Sequence, residues 1–394
     1  MVTYPKDWTE YSFKDFLKIK RGASPRPIEY YTTESASGAN WIKIGDAPKL
    51  GKYIVSTKER ITESGAVQSV RVYPGDFLLS NSMSFGRPYI LALEGCIHDG
   101  WLRLFDFQDT ADDNYLYYLL SSDPVQSQYQ SYAAGSGVQN LNKEVVKKVV
   151  VCLPSLPEQK AIAETLSCMD EHLANLTELI KKKKGIRDGA LEDLVSGRTR
   201  LKDVDIVWEE TELGRIASYR KGRTLSQRKH YISTENMRQE FAGITPYSGS
   251  YTVDGCEFSE GDTLMANIRP YLKKIWYADF SGCCSADVLV VHCNEGIVPK
   301  YLYYLVANDR YINYVMNGGT KGIKMPRGDR KFIMHYPVMI PTDEKIQQTL
   351  SEILTSMDNE IIALEEEKDK MLQIKAGAMD DLLTGRIRLT RQGG

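Results

Sequence analysis

The chain has 394 residues, with 50 Lys plus Arg against 52 Asp plus Glu and a formal net charge of −2. Hydrophobic residues make up 42% and charged residues 26%, the balance of a globular protein long enough for more than one domain. This excludes a disordered polar chain, a collagen-like repeat and a strongly basic nucleic-acid coat, while leaving room for local basic patches.

Taken in chain order, the N-terminal stretch Met1–Trp8 lacks the charged-then-apolar pattern of a secretion signal. No run of 18 apolar residues follows anywhere, so no membrane-spanning helix is predicted and a cytoplasmic protein is expected. Residues 1–153 read as a Tyr-rich globular head of mixed α/β (α+β) character. Its early basic cluster, Lys18, Lys20, Arg21 and Arg26, falls in Gly/Ser/Pro-rich sequence read as loops. Runs at Asp76–Ser80 and Val145–Val151 predict strands, and 112–122 predicts an amphipathic helix containing YLYYL. The Gly-rich stretch 135–139, with Ser136 and Gln139, precedes the last predicted strand.

From Pro157 to about Ser196 there is no proline, and Ile162, Leu166, Met169, Leu173, Leu176 and Ile180 recur at spacings of three and four. The spacer 154–202 is therefore a helix of about 40 residues, roughly 60 Å long. Proline at 154 and 157 suits its opening and Gly197 its C-terminal cap. Lys181–Lys184 on this helix reads as a solvated face.

A second head follows at 203–340, with strands predicted at Val288–Val291 and a helix at 298–308 that again carries YLYYL. Its basic residues bunch at Lys221, Arg223, Arg228, Lys273 and the stretch containing Lys321, Lys324 and Arg327. Residues 341–394 repeat the spacer: Leu350, Leu354, Met357, Ile361 and Leu364 form the stripe and Gly385 the cap.

Shifting the sequence by 188 positions lays 159–201 on 347–389 without a gap, and 17 of the 43 positions are identical. Trp8 and Trp208 each open a half. Gly75-Asp76, Asn81 and Arg87-Pro88-Tyr89 parallel Gly261-Asp262, Asn267 and Arg269-Pro270-Tyr271. The chain is a tandem duplication with a pseudo-two-fold repeat. Two apolar stripes of this length need partners, so the helices are expected to pair as an antiparallel coiled coil between two divergent heads.

Clusters at matching places suit phosphate contact by Lys and Arg, and Asn and Arg can read adenine and guanine edges. This singles out Asn81, Arg87, Asn267 and Arg269 beside the basic residues above. Catalytic signatures are missing: the sequence has no P-loop, no Gly-x-Gly cofactor loop and no Asn/Asp-Pro-Pro-Tyr stretch. The five His are scattered. Cys256, Cys283, Cys284, His292 and Cys293 lack zinc-ligand spacing and read as reduced thiols. No catalytic or metal residue is assigned.

The segment Leu153-Pro-Ser-Leu-Pro-Glu-Gln-Lys-Ala-Ile-Ala163, the Ser-Gly-Arg and Thr-Gly-Arg helix ends, the Trp openings and the YLYYL pair resemble the DNA-specificity subunit of type I restriction-modification systems, over essentially the full length. The second spacer departs slightly, with Thr342-Asp-Glu-Lys in place of the Pro-rich entry. The resemblance implies a non-catalytic subunit whose heads are target-recognition domains, each reading half of a split, asymmetric site on double-stranded DNA. It implies helices that set the gap and dock two methyltransferase subunits, with restriction subunits completing an ATP-dependent nuclease. S-adenosylmethionine, ATP and Mg²⁺ would serve those partners, and this chain would bind no cofactor. A lone nuclease or methyltransferase, or a two-headed adaptor that does not touch DNA, are the rival readings.

Overall fold

The computed structural model describes residues 3–48, 51–81, 86–134, 141–202, 204–318 and 326–389. The chain divides into two compact units, Met1–Leu176 with Glu367–Gly394, and Thr177–Glu366. The two long helices, Leu156–Val195 and Glu344–Leu383, each contribute one half to either unit.

In the first unit, strand Thr9–Ser12 pairs antiparallel with Val150–Leu153 and ties the two ends of the head together. Between them lie two five-stranded sheets. One runs Lys18–Arg21, Trp101–Phe105, Phe77–Ser80, Pro88–Leu91, Tyr53–Ile54; the other runs Thr32–Thr33, Glu59–Ile61, Ala39–Ile42, Gly95–Ile97, Val70–Val72.

The second unit repeats the plan. Trp208–Glu212 pairs with Pro337–Pro341. One four-stranded sheet runs Ala217–Tyr219, Val288–Cys293, Thr263–Ala266, Ile275–Tyr277, and another runs Arg223–Gln227, Thr252–Phe258, Gly282–Cys284, Tyr231–Ile232. The heads share the order of their central strands and differ at the sheet edges. Phe77–Ser80 and Thr263–Ala266 are buried at every residue, as interior strands covered on both faces must be.

The helix signals act as read. Pro157 sits in the first turn of the first long helix, and the Asp343 carboxylate accepts from the Lys345 N–H at 2.8 Å to start the second. Gly197 and Gly385 adopt φ of 67° and 74°, the left-handed conformation of a C-terminal cap. The YLYYL segments lie in helices Asp113–Ser121 and Pro299–Val306.

One expectation is corrected. Val145 and Val146 belong to a short helix, Lys143–Lys147, and the strand begins only at Val150. The Asn142 side chain caps that helix by accepting from the Val145 N–H, and this local bond overrides the β-branched composition.

In each unit the two helix halves run in opposite senses, with the head against them. Within the first unit, Ile162 and Leu166 share a core with Leu382, Leu383 and Met379. Within the second, Leu350 and Leu354 share one with Leu191, Leu194 and Val195. The seam is thus partly a head-packing surface, since Tyr115 and Tyr118, or Tyr301 and Tyr304, join the same clusters. Leu173, Leu176 and Ile361 are also buried, whereas Met169, Met357 and Leu364 are half-buried.

The same polar joint holds both units. Asp170 pairs with Lys375 and accepts from the Tyr118 hydroxyl at 2.6 Å; Asp358 pairs with Arg187 at 2.8 Å and accepts from the Tyr304 hydroxyl at 2.8 Å. Each member lies 188 positions, or 186 for the tyrosines, from its counterpart. Lys52 and Lys300 add ammonium groups over the Tyr117–Tyr118 and Tyr303–Tyr304 rings, and burial lowers the pKa of both lysines. Gln159 and Gln347 repeat too, each bridging the head backbone and the chain entering its helix.

Removing either hydroxyl, Tyr118→Phe or Tyr304→Phe, should lower the stability of its unit by about 1–2 kcal/mol. Urea denaturation read separately for each unit by hydrogen exchange checks this; a change within error at both sites would show that the cation alone carries the joint.

Candidate functional site

Six of the basic and amide residues singled out by the sequence, three in each head, gather at one topologically equivalent place. In the first head, Asn81 ends the fully buried strand Phe77–Ser80 and is itself buried. Its backbone N–H donates to Gly100 O at 3.0 Å, and its carbonyl accepts from the Leu141 N–H, just after the Gly-rich stretch. Its side-chain amide donates to Asp99 O at 2.8 Å, and Arg21 Nε donates to the same carbonyl at 3.0 Å. The Asp99 carboxylate accepts from the Ser24 hydroxyl at 2.9 Å and faces Arg26 at 3.4 Å.

In the second head, Asn267 ends strand Thr263–Ala266; its N–H donates to Asp287 O at 2.8 Å, and its carbonyl accepts from the Gly328 N–H at 3.2 Å. Arg327 pairs with the Asp287 carboxylate at 3.1 Å, and the Arg269 N–H donates to Pro326 O at 2.9 Å. Arg269 is exposed and left-handed, with φ of 52°. Strand register places Trp101 opposite Ser80 and Val288 opposite Ala266, so Asp99 and Asp287 lie within one residue of equivalence.

Electrostatics sharpen the first cluster. Burial raises the Asp99 pKa, but the Ser24 hydroxyl, its own backbone, His98 and Arg21 more than reverse this and hold it below the usual carboxylate range. Burial lowers the pKa of the neighbouring His98, and the Asp99 carboxylate works against that shift. Each cluster sets a carboxylate beside an exposed guanidinium group.

The remaining predicted residues are spread differently. Lys20 and Arg21 stand on the edge strand Lys18–Arg21, and Arg223 starts the strand Arg223–Gln227, not on loops as read. Arg223 pairs with Asp254. Lys221 is exposed in the turn before that strand. The Arg228 guanidinium lies 3.6 Å above the Tyr247 ring and 4.9 Å from that of Tyr231. Arg87 covers Tyr89 at 5.2 Å. Lys273 is held between Glu240 and Asp309, at 2.9 and 3.0 Å. Ser136, Gln139, Lys321 and Lys324 lie outside the described residues.

The Arg-Pro-Tyr parallel is corrected. Pro88 and Tyr89 belong to a strand, whereas Pro270 and Tyr271 form a turn of 3₁₀ helix before the equivalent strand starts at Ile275. The register makes Trp276, opposite Leu264, the counterpart of Tyr89, opposite Leu78. The asparagines match; the tripeptides do not.

Lysines 182–184 are tied up: Lys182 pairs with Glu178, Lys183 with Glu360 and Lys184 with Glu365. Among the described residues no group of three or more His, Cys, Asp or Glu is placed to hold a metal ion, and no helix is long and apolar enough to cross a membrane. Cys283 and Cys284 are buried free thiols.

Sequence reasoning missed Asp99 and Asp287 because it looked for cations and neutral polar side chains and not for carboxylates. The signal was present: each precedes a strongly apolar strand, Trp101–Phe105 or Val288–Cys293, at the end where the matching asparagine emerges.

The model of the type I restriction modification DNA specificity domain matches the chain twice, over residues 5–184 and 206–373. The type I restriction enzyme MjaVIII specificity subunit of Methanocaldococcus jannaschii is 23% identical, over 98% of this chain and 94% of that protein. The putative MjaX specificity subunit of the same organism is 24% identical over 98% and 95%. Among solved structures, one titled for complex assembly and conformational transition of the type I R-M system superposes with a TM-score of 0.60 at 15% identity, covering 98% of this chain and all of that one. The S subunit from M. genitalium gives 0.56 at 18% identity, covering 95% and 96%. These likenesses show the same fold.

Proposed function

Since the chain belongs to the family defined by the type I restriction modification DNA specificity domain, we propose that it is the sequence-recognition subunit of such a system. Each head, 1–153 and 203–340, reads one half of a bipartite site on double-stranded DNA. The spacers 154–202 and 341–394 set the gap and dock methyltransferase subunits. The observation that carries this reading is the duplicated cluster: one scaffold, used twice, holds an asparagine, an aspartate and an arginine at matching strand ends.

Chemistry follows from that division. Lysines and arginines at the strand ends and turns neutralise phosphates and supply salt-dependent affinity without sequence information. A few polar groups per head, Asn267, Arg269, Arg26 and Arg327 among them, face base edges. Joining two readers makes the second contact intramolecular, so affinity depends on both half-sites and on their separation. The chain itself carries out no reaction in this reading. Methyl transfer from S-adenosylmethionine and ATP- and Mg²⁺-dependent cleavage belong to two modification subunits and the restriction subunits that assemble on it, in the cytoplasm.

The test is DNA binding by the chain reconstituted with its methyltransferase partners. Altering either half-site, or changing the gap by one base pair, should weaken binding by on the order of 100-fold. The near-neutral chain alone should bind more weakly than the complex. Equal affinity for unrelated duplexes at all salt concentrations would overturn the reading.

A further inference from the structure

We propose that Asp99 and Asp287 are base-reading residues, one in each head, that accept a hydrogen bond from the exocyclic amine of an adenine or cytosine. The inference rests on the DNA-recognition reading and adds to it the chemical class of base that each head selects at one position.

Three observations carry it. The carboxylates stand at neighbouring positions of one corner of the shared scaffold, the turn into the strand that pairs with the Asn-bearing strand, Asp99 two residues before that strand and Asp287 one. Both are 42% exposed and each is flanked by a more exposed guanidinium, Arg26 at 80% and Arg327 at 58%. Both also keep capacity to accept. A carboxylate offers about four lone-pair sites; Asp99 uses them on Ser24, its own backbone and long contacts to Arg26 at 3.4 Å and His98 at 3.7 Å, contacts that a base amine can displace, and Asp287 has one contact, to Arg327, among the described residues.

An exposed anion at a DNA-facing corner is otherwise unfavourable, because it repels phosphate. It becomes useful where an amine must be recognised. In the major groove only cytosine N4 and adenine N6 present donors, while guanine O6 and thymine O4 present acceptors. A carboxylate has no proton to give at neutral pH, so it accepts from the first pair and repels the second. The neighbouring guanidinium supplies the complementary donor, suited to adenine N7 beside N6 or to an adjacent guanine. The repulsion acts on phosphates too, so the same groups suppress non-specific binding.

The experiment uses the chain assembled with its methyltransferase subunits, with long-read sequencing of the methylated sites. Asp99→Asn keeps the shape and adds a donor. It should relax one position of one half-site from an amine-bearing base toward guanine or thymine, with discrimination there falling on the order of tenfold, and leave the other half-site unchanged. Asp287→Asn should do the same in the opposite half-site. Arg26→Gln, which removes the partner but leaves the carboxylate, should not reproduce the Asp99→Asn pattern. An unchanged motif in both variants, a uniform drop at every position, or the same pattern from Arg26→Gln would each overturn the proposal. Because the two heads are independent copies, one misfolded variant still leaves the other to decide. A wild-type complex that methylates no defined sequence would instead overturn the DNA-recognition reading itself.

Discussion

Replacing Arg388 by methionine should destabilise the first unit by about 3 kcal/mol, while the same change at its repeat counterpart Arg200 should cost less than about 0.5 kcal/mol. Arg388 binds Glu158 through two nitrogens, at 2.6 and 2.8 Å, and Asp7 through two more contacts, at 3.0 and 2.8 Å. Glu158 is 3% exposed, so losing the guanidinium strands a buried carboxylate. Asp7 is solvated and contributes little. In the second half Ile346 stands where Glu158 does, and the exposed Arg200 has no ion-pair partner among the described residues. Glu158→Met added to Arg388→Met should recover most of the loss, because an apolar pair replaces a buried ionic one. Chemical denaturation with hydrogen exchange resolved by unit decides it; equal losses at Arg388 and Arg200 would remove the buried carboxylate as the cause.

Truncating the helix seam should cost a similar amount. Leu354 is 2% exposed and shares its cluster with Leu191 and Tyr301, and Leu166 occupies the equivalent place among Met379 and Tyr115. Leu354→Ala and Leu166→Ala should each lose about 3 kcal/mol, the transfer free energy of the removed atoms plus the cavity left between head and helices. Leu372, 47% exposed on the second helix, provides the contrast: Leu372→Ala should stay within about 0.5 kcal/mol. In the assembled complex the two core variants should also blur discrimination between gap lengths, since a loosened head tolerates more positions. A melting curve unaffected by Leu354→Ala would show that the stripe is not what holds head and helix together.

Much of this was legible in the residues. The duplication, the helix limits and their glycine caps follow from periodicity and backbone stereochemistry, which act locally. The pairing of Asp170 with Lys375 and of Asp358 with Arg187 was available in principle, since both pairs obey the same 188-residue shift. Long-range geometry was harder. Nothing local says that Val145 falls in a helix, because one Asn142 bond decides it, or that Arg87-Pro88-Tyr89 and Arg269-Pro270-Tyr271 occupy different backbone. The candidate site was half visible: cations and asparagines stood out, while Asp99 and Asp287 gain meaning only from strand register that joins residues about 20 positions apart.

The polar joint has a consequence for chain architecture. Each half of the sequence carries both complementary parts of it, Asp170 with Arg187 in one and Asp358 with Lys375 in the other. A half-length polypeptide could therefore pair with an identical copy through an isologous contact and form the joint twice. The first half would even gain a Glu158–Arg200 clamp at both ends, whereas the second, with Ile346 facing Arg388, would have none. Such a homodimer would present two like readers in inverted orientation, suited to a palindrome, which makes gene fusion followed by divergence of the heads a simple route to the asymmetric protein.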